Sequence, residues 1–216
     1  MGDEAAIRCM RHCSNDYNIF FVNFPEFCPI CKGQIKGSFL VLPPFCVPRP
    51  FVSSFQAPYS IVVKPTEGCF LKTYRSGHDL HIGLTSSKGL VYNYDESGVH
   101  MDNHLTWPVC IAVDILDILK GYSASVILKD WDKTLCEHSN KSEWTYDKYG
   151  PTLHNCYDFV LSFLKDILPG CQGFVGKDSF CNTHIIPRTT KAAQYIDLYR
   201  KVVDNGLFVS KANSPD

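Results

Sequence analysis

The chain lacks any apolar run long enough to cross a bilayer. A span needs about 18–20 such residues, and the longest candidate, around Val109 to Leu119, is broken by Asp114 and Asp117. It also lacks the apolar stretch of a secretory signal, since its N-terminus reads MGDEAAIRCMRHC. Gly2 follows the initiator Met, but Ala6 stands where a myristoylation motif requires Ser or Thr. Charge of one sign is missing too. Lys and Arg number 21 against 22 Asp and Glu, a formal net charge of −1, and the basic residues are scattered. Nothing electrostatic therefore recruits nucleic acid or an anionic membrane. These absences predict a cytoplasmic or nuclear protein, not secreted, with no membrane span and no nucleic-acid partner. The Asn140-Lys141-Ser142 sequon is then idle. No internal repeat is visible.

Cysteine, by contrast, is abundant. Eleven cysteines at irregular spacing, an odd number, argue against a disulfide framework and for reduced thiols. Free Cys packs as a small apolar residue, the role expected of most of Cys69, Cys110, Cys136, Cys171 and Cys181. Hydrophobic content of 45% with 20% charged residues is that of a globular chain, not a disordered one. At 216 residues there is room for one sizeable core with an appendage, or for two modest domains.

The patterning predicts an α+β protein. Asn18–Phe24 (NIFFVNF) reads as a strand, followed by a Cys28-Pro29-Ile30-Cys31 knuckle and a second strand. Pro43, Pro44, Pro48, Pro50 and Pro58 then mark a connector, because proline resists central-strand pairing. The expected division is an N-terminal segment over 1–48, a main domain over 49–210 and a disordered tail over 211–216. From Tyr59 to Asp95, YSIVVKP, CFLKTY, DLHIGLT and GLVYNYD read as strands, the last two forming an antiparallel hairpin across Ser86 to Gly89. Strand alternation puts Ile82 and Leu84 on one face of that hairpin and His81 and Gly83 on the other. Helices are predicted over about 123–138, 155–168 and 189–204. In the second, Phe159, Val160, Phe163, Leu164, Ile167 and Leu168 form one apolar stripe, ended by Pro169-Gly170.

Cys156 falls on that stripe at the first helical turn, where free backbone N–H groups and the helix dipole favour a thiolate. Asn155 is positioned to cap the helix and Asp158 to complement the dipole. A nucleophilic cysteine needs this mount and a nearby imidazole; a core cysteine at a helix start needs only the packing. His78 and His81 compete as the base, but in one strand they face opposite sides. His154 reads as a solvated residue beside the cap. His100 and His104 lie in a polar loop (SGVHMDNH) at the i, i+4 spacing of metal ligands, without a third partner.

Cys28 and Cys31, followed by Gly33, have the form of a zinc knuckle, which supplies two of the four ligands a structural site requires. Cys13 and Cys9 are the expected second pair, with His12 and Cys46 as alternatives. A tight turn with two reduced thiols is the competing reading. A metal here would be structural and would tie the N-terminal segment down, or serve an adaptor that contacts another protein.

HIGLTSSKGLVYN (81–93) and HNCYDFV (154–160) together resemble the permuted papain-like thiol hydrolases, the group of lecithin:retinol acyltransferase-like and PPPDE proteins. The resemblance implies a permuted papain-like domain with Cys156 as nucleophile, His81 as base and Asn93 as the residue orienting the imidazole. It further implies a cysteine hydrolase or acyl-transfer enzyme with an acyl or protein substrate and no catalytic cofactor. Tyr157 and Asp158 depart from the acyltransferase pattern, in which an acidic residue, His and Phe follow Asn-Cys. The alternative is a non-catalytic interaction module on the same scaffold, its partner surface drawn from Trp107, Trp131, Trp144, Tyr146 and Tyr149. With FCPIC and IIPRTTKAAQYIDLYR added, nearly the whole chain resembles the makorin-2 opposite-strand protein family, which carries no established activity across.

Overall fold

A computed structural model describes residues 6–118, 123–167 and 176–212. Its elements, in chain order, are β1 (Arg8–Arg11), β2 (Tyr17–Phe21), β3 (Leu42–Cys46), β4 (Ser60–Pro65), β5 (Leu80–Thr85), β6 (Val91–Asp95), β7 (Gly98–Asp102), β8 (Ile111–Asp114), α1 (Ile115–Ile118), α2 (Ala124–Lys129), α3 (Trp131–Ser139), α4 (Cys156–Ile167), α5 (Gly176–Phe180), α6 (Ile186–Asn205) and β9 (Leu207–Lys211). The protein is α+β, with two antiparallel sheets and several helices.

Two compact units divide the chain, residues 1–49 with 194–216, and residues 50–193. The first holds a four-stranded sheet in the order β3-β1-β2-β9. Its proline-bearing strand β3 sits at the edge, the one place where Pro43 and Pro44 remove no ladder bond that a neighbour needs. Residues 194–212 belong with this unit and not with the 49–210 domain expected from sequence. The cause is β9, which runs antiparallel to β2 from Leu207↔Phe21 to Lys211↔Tyr17. Pairing extends to Ala212, whose N–H donates to the Asp16 carbonyl at 2.7 Å, so residues 211 and 212 are not part of a tail; residues 213–216 lie outside the described residues. On one face Met10, Ile19 and Phe21 pack with Cys28 and Ile35 of the knuckle.

The second unit is built on a five-stranded sheet in the order β7-β6-β5-β4-β8. The β5–β6 hairpin pairs Gly83 with Asn93 and Thr85 with Val91. SGVHMDNH is not a loop, because β7 continues the meander and pairs His100 with Asn93. CFLKTY is not a strand. The Cys69 carbonyl accepts from the Thr73 and Tyr74 N–H groups, closing a turn that buries Phe70 in a stack on Phe51 at 4.9 Å. The helix expected over 123–138 is two helices, parted at Asp130, whose φ of −108° and ψ of 11° leave the helical region.

Alternation gives the sheet two differently covered faces. Val62, Val91 and Ala112 pack with Trp107 and Cys110 on one. On the other, Tyr94 meets Phe159 of α4 at 6.3 Å between ring centroids. Farther along, Trp131 of α3 contacts Phe163 edge-on at 4.9 Å and donates its indole N–H to the Thr85 carbonyl. The apolar stripe of α4 is buried as its spacing requires, with Phe159, Val160, Phe163 and Leu164 all at 0% exposure. Leu168 and the predicted Pro169-Gly170 stop lie outside the described residues, as does Cys171. α6 starts at Ile186, ahead of the predicted Thr189, and ends where Gly206 adopts φ 75°.

Candidate functional site

The N-terminus of α4 is a closed set of caps. Asn155 Oδ1 accepts from the Tyr157 N–H at 3.0 Å, while Asp158 Oδ2 accepts from the Asn155 N–H at 2.9 Å. This reciprocal pair satisfies donors that a helix start otherwise leaves free. Lys177 Nζ reaches Asp158 Oδ2 at 2.8 Å and ties α5 to the same turn. Cys156 is thereby fixed against β5, and the backbone N–H groups of Ile82, Tyr157 and Cys156 itself act to favour its thiolate. Ile82 N–H is available because the β5–β6 pairing begins only at Gly83. Burial nevertheless dominates. The sulfur sits in a residue 6% exposed, and desolvation pushes its pKa up against those three donors.

His81 is presented from the same point of β5. Its Nε2 is 2.8 Å from Asn93 Oδ1, and the Asn93 amide nitrogen is 3.1 Å from Asp102 Oδ2. Trp107 Nε1 donates to the same carboxylate oxygen at 3.1 Å. The chain of bonds has one self-consistent assignment. A carboxylate only accepts, so the Asn93 NH₂ faces Asp102 and its oxygen faces His81. Nε2 then carries the proton, and Nδ1 is left as the free base. Burial lowers the His81 pKa; the bond to Asn93 opposes that, and the nearby Lys64 charge adds to it. Lys64 itself lies over the Trp107 ring at 4.5 Å, and the His81 ring is 5.7 Å from it. The imidazole thus rests neutral beside a protonated thiol.

Cys156 and His81 meet at one backbone step of β5: the Ile82 N–H lies toward the sulfur, and His81 is the residue before it, its ring packed near Trp107. Among the described residues no hydrogen bond joins sulfur to imidazole. His78 is not the base: it is exposed, and its Nδ1 accepts from the Arg75 N–H in a turn. His154 is half-buried, stacked on Trp144 with centroids 4.7 Å apart and within 3.4 Å of the Tyr94 hydroxyl. His100 bonds Asp95 and His104 packs against Phe55, so the two form no shared site. Asp102 and Trp107 were missed from sequence. Their signal would have been an acidic residue on the strand next to Asn93, which is invisible until β7 is recognised.

In the first unit, His12, Cys13, Cys28 and Cys31 converge, their ligand atoms all within 4.8 Å of one another, an arrangement that can hold a metal ion. Cys9 is not among them, which corrects the expected set. It lies in β1 beside Met10, and Met10 is the residue that packs with Cys28, so alternation turns Cys9 to the other face. Cys46 is placed in β3, opposite Arg8, and is likewise outside the cluster. Lys32 takes φ 63° to close the knuckle, with Cys28 N–H donating to the Gly33 carbonyl at 2.9 Å. The Gly33 N–H pulls the Cys31 thiol down to about 7, while desolvation and the neighbouring thiols push Cys13 up to about 11. The remaining described cysteines are free thiols, of which Cys110 is buried and Cys136 exposed. Among the described residues no helix is long and apolar enough to cross a membrane.

Two family models match the chain, DUF4796 N-terminal over residues 6–35 and DUF4796 C-terminal over residues 44–202. The human protein named MKRN2 opposite strand protein is 31% identical over 202 residues, covering 93% of this chain and 87% of that one. No solved structure matches. The chain belongs to the makorin-2 opposite-strand protein family, whose sequence models are those of DUF4796.

Proposed function

We propose that the chain is a cysteine hydrolase or acyl-transfer enzyme on a permuted papain-like scaffold, acting through Cys156, His81 and Asn93. The Asp102–Asn93–His81 chain carries this reading. A half-buried histidine and a half-buried carboxylate joined through a buried amide are costly to hold in series, and their arrangement leaves Nδ1 as a proton acceptor one residue from the amide beside the sulfur. In the reaction Cys156 Sγ attacks an ester, amide or thioester carbonyl carbon and its proton passes to His81 Nδ1. The carbonyl oxygen takes the negative charge, with the Cys156 N–H as a donor at the helix start. Collapse of the adduct expels the leaving group with the proton from His81. Water or an acceptor nucleophile, deprotonated by the same imidazole, then releases the acyl group and the free thiol. Sulfur and imidazole close to hydrogen-bonding distance when substrate binds, as catalytic bonds that are long at rest do. The test is a cysteine-directed acylating probe on the full chain. Labelling should map to Cys156 and fall at least tenfold in His81→Ala; equal labelling of wild type and Cys156→Ala refutes it.

A second reading, a protein-interaction module on the same scaffold, is favoured by the burial and raised pKa of Cys156. A cavity of about 310 Å³ beside α4, lined in part by Trp144, His154, Asp158 and Lys165, does not include Cys156. This reading expects labelling of Cys156 only on unfolding, at a rate indifferent to His81→Ala.

For the first unit we propose a bound zinc ion in a structural role, with no part in the thiol chemistry.

A further inference from the structure

The geometry points to a closed Cys₃His zinc centre in which His12 binds through Nδ1, with Cys13, Cys28 and Cys31 as the thiolate ligands. This rests on the proposal that the first unit binds zinc, and it adds the ligand set, the ligating nitrogen and the absence of an open coordination position.

The spacings carry the argument. A tetrahedral zinc with Zn–S near 2.3 Å and Zn–N near 2.0–2.1 Å sets S···S at about 3.8 Å and S···N at about 3.6 Å. Cys13 Sγ and Cys28 Sγ are 3.9 Å apart, and Cys31 Sγ lies 3.4 Å from His12 Nδ1. Both distances come within a few tenths of an ångström of the tetrahedral edge. The imidazole is also set for ligation by its outer side. His12 Nε2 is 2.8 Å from Ser38 Oγ, and that hydroxyl donates to the Ile35 carbonyl at 2.7 Å. With its own proton committed to Ile35, Ser38 Oγ accepts from His12, so the ring proton is on Nε2 and the Nδ1 lone pair faces the sulfurs. Histidines that bind metal are held in this way, by a partner on the distal nitrogen that fixes tautomer and ring orientation.

The sulfurs are supported similarly. Ile30 N–H donates to Cys28 Sγ at 3.4 Å. An amide donor at the knuckle reduces the charge that three thiolates bring to one ion. Three sulfurs and one imidazole fill a tetrahedron, which marks a structural site; a catalytic zinc keeps a position for water. Softness of the donors selects zinc over magnesium or calcium. The ligands come from the end of β1 and from the knuckle, while Ser38 comes from the loop beyond. One ion therefore fastens the 28–38 segment to the sheet, a link of folding to metal that small zinc modules share.

The experiment uses the full chain, purified under reducing conditions and loaded with zinc or cobalt. Zinc content is read by elemental analysis and ligand identity by the thiolate-to-cobalt charge-transfer and d–d absorption. The wild type should bind one equivalent with a tetrahedral S₃N spectrum. Cys9→Ala should match it, His12→Ala should weaken binding by at least about 100-fold, and Ser38→Ala by about 10- to 100-fold. His12→Cys should restore binding with an S₄ spectrum, which separates lost ligation from failed folding. No zinc in the wild type after reloading sinks the underlying reading. Zinc bound in the wild type but kept in His12→Ala and lost in Cys9→Ala overturns the ligand assignment alone.

Discussion

Replacing Asp102 with alanine should cost about 3 kcal/mol of stability, and the figure follows from what its carboxylate holds. Asp102 Oδ2 accepts from the Asn93 amide and from the Trp107 indole, each at 3.1 Å. Trp107 is 0% exposed and Asn93 3% exposed, so neither donor has ready access to bulk water. A hydrogen bond to a charged group contributes about 1.5–3 kcal/mol. Asp102 itself is only half-buried, and water can enter beside it, which favours the lower end for each bond. Two such bonds give the quoted total. Urea unfolding followed by tryptophan fluorescence reads the change. A cycle with Trp107→Phe isolates the indole bond, with an expected coupling of about 1–2 kcal/mol. Freed from the carboxylate, the Asn93 amide can rotate, so Asp102→Ala should also slow Cys156 labelling. A stability loss below about 0.5 kcal/mol, the scatter of ordinary surface substitutions, would refute the claim that this carboxylate organises the His81 side.

Gly83→Ala should destabilise by about 1–3 kcal/mol and displace Asn93, because a Cβ there would stand 2.7 Å from Val91 Cγ1 and 2.9 Å from the Tyr92 carbonyl oxygen; denaturation together with probe labelling checks both effects. Phe163→Ala should cost about 3–5 kcal/mol, since the ring is fully buried against Trp131 and the loss removes both packing and the edge-on contact; thermal unfolding reads it. His81 and His138 both have pKa values lowered by burial, so the unfolded chain binds their protons first and their contribution, present above about pH 6.5, is lost as pH falls through the folded values. Urea midpoints from pH 7.5 to 5 should decline, and less steeply in His81→Gln. At the other end, Cys156 has a raised pKa, so its contribution is present below the ordinary thiol value of 9.0 and is lost as pH rises through the folded value. Midpoints should therefore fall in alkali, less so in Cys156→Ala.

What could be read from residues alone was whatever short-range pattern dictates. The stripe of α4, the capping role of Asn155 and the β5–β6 hairpin follow from periods of 3.6 and 2 and from turn chemistry, all local. So does the assignment of His81 and Ile82 to opposite faces. The CxxC knuckle, too, announces itself by spacing. CFLKTY misled because an apolar run of six residues serves equally for a strand or for a buried turn, and only the stack of Phe70 on Phe51 decides.

Tertiary structure decided everything that depends on partners distant in sequence. His12 rather than Cys9 joins the cysteine cluster because strand alternation and the packing of Met10 against Cys28 turn Cys9 away, a fact that needs the sheet. Asp102 enters the His81 chain only because β7 lies beside β6, and residues 207–211 belong with the N-terminal strands only because β9 pairs with β2. The helix dipole at Cys156 and its place on the buried stripe could both be foreseen, but not which of the two prevails, since the extent of desolvation depends on the surrounding fold.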